Sequence, residues 1–118
     1  ADAITAAARQ VAQSVGAAAI VTFSTTGSTT LRASRVRPDV PIMGLTPKVE
    51  TARRLVLAWG VHPVHTHDVS DFGDLVKHSI GIATREEFAV PGQRLVVTAG
   101  VPFGTPGATN VLRLLWVD

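Results

Sequence analysis

Apolar residues return at helical spacing through the first sixteen positions. Ile4, Ala7, Ala8, Val11, Ala12 and Val15 fall at i, i+3, i+4, i+7, i+8 and i+11. That spacing draws one stripe along a helix, with Arg9, Gln10 and Gln13 outside it and Gly16 as a C-terminal stop. The pattern then changes. Ala17–Phe23 is an apolar run broken only by Thr22, as expected of a strand buried on both faces. After the hydroxyl-rich stretch Ser24–Thr30, a short helix is predicted over Leu31–Arg37, ended by the Arg37-Pro38 step.

The alternation continues. Pro41–Leu45 reads as a second buried strand, and Thr46-Pro47 as an N-cap with proline in the first turn. Val49, Ala52, Leu55, Val56 and Trp59 are the predicted apolar face of that helix, which Gly60 ends. Val61–Thr66 is a third strand despite Pro63, and Ser70 caps a helix whose inner face is Phe72, Leu75, Val76, Ile80 and Ala83. Pro91-Gly92 is a turn, Arg94–Ala99 a fourth strand, Gly100–Thr109 a Gly/Pro loop and Asn110–Val117 a closing strand.

Helices alternating with buried strands imply βαβ units and a parallel sheet covered on both faces. The link between the last two strands is too short, and too rich in glycine and proline, for a helical crossover, so the last strand should run antiparallel. The expected fold is a single α/β domain over residues 1–118, a three-layer α/β/α sandwich on a mostly parallel five-stranded sheet with an antiparallel last strand.

Composition narrows the chemistry. The chain has 118 residues, 46% hydrophobic and 17% charged, which excludes a disordered or strongly charged tail. Its apolar runs are far shorter than the roughly 20 residues of a membrane-spanning helix. With no cysteine there is no disulfide, thiolate nucleophile or Cys-based zinc site, and a cytoplasmic location is the expectation. A net charge of +2 is a weak basic excess, so no nucleic-acid partner is expected. The start at Ala1, without Met or a signal-like segment, suggests a piece of a longer chain.

Ligands of open α/β sheets bind beyond the carboxyl ends of the parallel strands. Ser24-Thr25-Thr26-Gly27-Ser28-Thr29-Thr30 lies there, offering N–H groups at a helix N-terminus and hydroxyls that can donate to phosphate oxygens. Gly27 permits the close backbone approach such a ring of donors needs. The plain alternative is a helix cap with extra hydroxyls. The loop is no nucleotide P-loop or Rossmann fingerprint, and no G-x-S-x-G elbow makes Ser24 or Ser28 a nucleophile.

The loop Val101, Pro102, Phe103, Gly104, Thr105, Pro106, Gly107, Ala108 is either a wide reversing turn or a flap over whatever the hydroxyl loop holds. His65 and His67 would share one face of a strand, but no second ligand cluster accompanies them and no metal site is expected. Arg32, Arg35 and Arg37 could assist an anion, although a solvated helix face suits most of them better. No obvious carboxylate pair in a loop, no Walker lysine and no H-E-x-x-H is present, so no catalytic residues are expected.

In order, the segments I-T-A-A-A (from Ile4), A-A-A-I-V (from Ala17), S-T-T-G-S-T-T, R-V-R-P (from Arg35) and A-R-R-L (from Ala52) form one set. W-G-V-H-P-V (from Trp59), V-V-T-A-G-V-P-F-G (from Val96) and G-A-T-N (from Gly107) complete it. Together they resemble the C-terminal α/β domain of pyruvate kinase over essentially the whole chain. The resemblance implies a regulatory domain of a homotetramer. Phosphoenolpyruvate would phosphorylate ADP in a separate barrel with Mg²⁺ and K⁺, and this domain would need no cofactor of its own. It implies that Ser24, Thr25, Thr26, Gly27, Ser28 and Thr29 hold the phosphate of an effector and that the loop Val101–Ala108 closes over it. Thr25 and Ser28 replace residues that are basic in bisphosphate-binding members, and Val76, beside Lys77, replaces an arginine. That implies a sugar monophosphate or nucleoside monophosphate rather than a bisphosphate. A ligand-free assembly domain, or a stand-alone phosphate-binding module, is the alternative.

Overall fold

A computed structural model describes residues 2–99 and 111–118. The element order is α1 (Asp2–Val15), β1 (Ala19–Phe23), α2 (Ser28–Arg35), β2 (Ile42–Thr46), α3 (Val49–Leu55), β3 (Val61–His65), α4 (Phe72–Arg85), β4 (Arg94–Ala99) and β5 (Val111–Trp116). The strands form one sheet in the order β3-β2-β1-β4-β5. β1 runs parallel to β2 and β4, β2 runs parallel to β3, and β5 is antiparallel to β4, with Thr98 opposite Leu112. The expected α/β sandwich and its antiparallel last strand are therefore present.

The two faces of the sheet bury separate cores, because successive strand residues point to opposite sides. Ile20 and Val96 face α1, where Ala8 and Ala12 bring the helix close to the sheet. Val21, Leu95 and Val97 face the other way, onto Leu75, Ile82 and Ala83 of α4. Thr22 shares the first face with α2, and its hydroxyl lies 2.7 Å from that of Thr30. The chain leaves β1 towards β2 and β3, then crosses back to β4 on β1's other side. That reversal puts a switch point between β1 and β4, the position where α/β sheets bind ligands.

Several boundaries differ from the pattern-based expectation. α2 begins at Ser28 rather than Leu31, so Ser28, Thr29 and Thr30 form its first turn. Thr46 is no helix cap: it ends β2, paired with His65, and its Oγ1 accepts from Lys48 N at 3.3 Å. α3 stops at Leu55, followed by tighter turns (Ala58 N to Leu55 O, 3.0 Å), and Val56 and Trp59 are exposed. Thr51 and Leu55 are its buried residues. The cap of α4 is Asp71, whose side chain accepts from Asp74 N, and not Ser70. β3 takes Pro63 without penalty because it is an edge strand. Among the described residues no helix is long and apolar enough to cross a membrane.

Candidate functional site: the hydroxyl loop at the switch point

The loop after β1 is held from four sides. Ser24 N donates to Leu45 O at 3.0 Å, continuing the ladder one residue past the strand. Gly27 N donates to Ser24 Oγ at 2.9 Å, closing the turn. From α3, Thr51 Oγ1 donates to Thr25 O at 2.9 Å. Arg54 lies one helical turn on; its guanidinium reaches Thr26 O at 3.4 Å and Thr51 Oγ1 at 3.1 Å.

Gly27 is the pivot. It is the N-cap of α2 with φ 90, a left-handed conformation that favours glycine. A Cβ there would also meet Thr51 Cγ2 at 3.2 Å and Leu55 Cδ2 at 3.4 Å. No side chain caps α2. Instead Thr26 Oγ1 turns to Ser28 Oγ, 3.3 Å away, on the exposed side of the loop. Ser24 and Thr29 are buried, Thr25 and Ser28 half-buried, and Thr26 exposed. Thr30, the last hydroxyl of the S-T-T-G-S-T-T run, points into the core and is not available to a ligand.

A recess of about 90 Å³ opens beside the loop, lined by Thr26, Leu31, Thr51, Arg54 and Leu55. Arg54 is the residue the pattern reading did not single out. Its signal was the i, i+3 spacing from Thr51, which puts both on one helix face. Arg32 and Arg35 belong to the last turn of α2, and Arg37 stacks over Trp59 at 5.1 Å. Among the described residues, none of the three hydrogen-bonds to the loop, whose cationic partner is Arg54. Val101–Ala108, expected as a flap, lies outside the described residues.

The histidines also sort differently from expectation. His65 does not face the same way as His67: its Nε2 donates to Pro47 O at 3.1 Å, on the α3 side. His67 lies beyond β3 and meets His78 of α4, ring centroids 4.2 Å apart.

The geometry can be set beside known proteins. The family model described as "Pyruvate kinase, alpha/beta domain" matches residues 2–115. The chain belongs to this pyruvate kinase domain family. A curated pyruvate kinase of Methylorubrum extorquens is 49% identical over 116 residues, covering 98% of this chain and 24% of its own. Pyruvate kinase 2 of Synechocystis is 35% identical, covering 96% of this chain and 19% of its own. The solved Cryptosporidium parvum pyruvate kinase in complex with ADP superposes with a TM-score of 0.89 at 27% identity, over 99% of this chain and 23% of that one. The chain thus spans about a quarter of the length of these pyruvate kinases or less.

Proposed function

We propose that this chain is the regulatory and assembly domain of a homotetrameric pyruvate kinase, and that its hydroxyl loop binds the phosphate of a sugar phosphate or nucleoside monophosphate. Phosphoryl transfer from phosphoenolpyruvate to ADP belongs to the rest of such an enzyme, in the cytoplasm, with Mg²⁺ and K⁺ there. The observation that carries the reading is the loop itself. Ser24, Thr25, Thr26, Gly27, Ser28 and Thr29 wrap the N-terminus of α2 at the switch point, with the Thr26 and Ser28 hydroxyls on its open side. Anions are favoured at that helix N-terminus by its dipole, beside hydroxyls that can donate to phosphate oxygens.

Charge limits the ligand. The loop has no charged residue of its own, and Arg54 is the cation tied to it. One guanidinium suits one phosphate monoester, which it can grip with two N–H groups. The loop Val101–Ala108 is assigned the covering role.

The test is a thermal-shift screen against phosphate, glucose 6-phosphate, ribose 5-phosphate, AMP and fructose 1,6-bisphosphate. Ligand at a hundredfold its Kd stabilises by about 2.7 kcal/mol, several degrees for a domain of this size. A monophosphate is expected to give that shift, and Ser28→Asp or Arg54→Gln to abolish it. A flat screen, repeated with the full-length enzyme, would leave only the assembly role.

A further inference from the structure

Four histidines lie in the described residues, and two are engaged elsewhere. His62 Nε2 sits 3.0 Å from Glu86 Oε1, and His65 is held by Pro47 O. The other two, His67 and His78, meet edge to face at an interplanar angle of 77°. Asp74 stands one turn before His78 on α4, its Oδ1 3.2 Å from His78 Nδ1. The ligand atoms of His67, Asp74 and His78 all lie within 4.8 Å of one another.

We propose that His67, Asp74 and His78 bind a divalent transition-metal ion, Zn²⁺ being the best fit. Two imidazole nitrogens and one carboxylate oxygen are a donor set zinc takes in four-coordinate sites, with water in the fourth position. Tetrahedral ligands about 2.0–2.1 Å from the ion stand about 3.4 Å apart, so the cluster must contract by at most about 1.5 Å. Rotation of the exposed His67 side chain supplies that movement. The other two ligands are already placed on one face of a regular helix.

Their surroundings hold two of the three in place. His78 Nδ1 lies 2.8 Å from Asp74 O as well as 3.2 Å from Asp74 Oδ1, so its ring is fixed beside the carboxylate. Asp74 is fixed by the cap: its N–H donates to Asp71 Oδ1 at 2.8 Å, and its Oδ2 accepts from Ser70 N at 3.4 Å. Asp74 and His78 are half-buried, so the ion would be partly shielded from water. Bound there, it ties the segment after β3 to the first turns of α4. The site lies after an edge strand, on residues separate from those of the hydroxyl loop.

The experiment is a Zn²⁺ titration of the untagged chain, read by competition with a chromophoric chelator and by Tm. One Zn²⁺ per chain is expected at micromolar affinity, with a rise in Tm that EDTA reverses. His67→Ala and His78→Gln should each weaken binding at least about tenfold. His67 is exposed, so its variant tests the site without threatening the fold. His62→Ala and His65→Ala should bind within about twofold of the parent. Absence of binding up to 100 µM Zn²⁺, undiminished binding in the His67 and His78 variants, or loss of binding in the His62 or His65 variants would each overturn the site.

Discussion

Two loops at the same edge of the sheet have opposite characters. The hydroxyl loop follows β1, which lies between β2 and β4; the histidine segment follows β3, which has a single neighbour. At the centre, polar groups are spent on structure. Ser24 and Thr29 are buried, Thr25 O and Ser24 Oγ each accept a hydrogen bond, and Thr22 pairs with Thr30 at 0% exposure. At the edge, His67, Asp68, Ser70 and Asp71 are all exposed, and Val69 is the one buried residue from His67 to Asp71. A central loop therefore offers a ligand a rigid frame of backbone and hydroxyls, while an edge loop offers exposed side-chain heads that can gather round an ion. Substitutions should follow that division, costing more near the central loop than at the edge.

The largest effect is expected at Gly44 in β2. A Cβ there would lie 2.8 Å from Thr30 Cγ2 and 3.3 Å from Thr30 Oγ1. Thr30 has nowhere to move, being fully buried and hydrogen-bonded to Thr22. Gly44→Ala should therefore cost about 3 kcal/mol, from overpacking together with damage to that hydrogen bond. Because Thr30 sits in the first turn of α2, phosphate binding should weaken as well. Urea denaturation measures the first and the thermal-shift screen the second. A loss under about 1 kcal/mol would mean that the centre is not as rigid as the packing implies.

The Thr22–Thr30 pair sharpens the same point at smaller scale. Thr30→Val keeps the shape and strands the Thr22 hydroxyl in the core, an expected cost of about 1–2 kcal/mol. Thr22→Val should do the same. The double variant removes both polar groups, so it should cost less than the two singles together, a coupling a double-mutant cycle reads directly. Additive costs would show that the two hydroxyls do not depend on each other.

How much of this was legible depends on the same contrast. The buried strands were visible as apolar runs, and the short Gly/Pro link correctly implied that the last strand reverses. Helix ends were less legible because tertiary contacts set them. Thr46 looks like a cap, but its pairing with His65 keeps it in β2. Ser28 and Thr29 look like loop residues, but the positive φ of Gly27 starts the helix ahead of them. Arg54 could be placed near the hydroxyl loop only once α3 packed Thr51 onto Thr25. Asp74 and His78 are visible as an i, i+4 pair, but His67 joins them through an irregular segment that no periodicity encodes.

The smallest effect belongs to the edge. Asp71→Ala removes the cap of α4 and leaves Asp74 N without its 2.8 Å acceptor. Loss of an N-cap of this kind costs about 1 kcal/mol, a fall of about 4 °C in Tm for a domain of this size. Asp71→Asn should restore most of it, since the amide oxygen still accepts. The same substitution separates the two loops functionally. Asp74 loses one of the bonds that hold it beside His78, so Asp71→Ala should weaken Zn²⁺ binding several-fold, and it should leave phosphate-ester binding at the hydroxyl loop unchanged. A matching loss of phosphate-ester binding would show that the two ends of the sheet edge respond as one unit, and the division between centre and edge would fail.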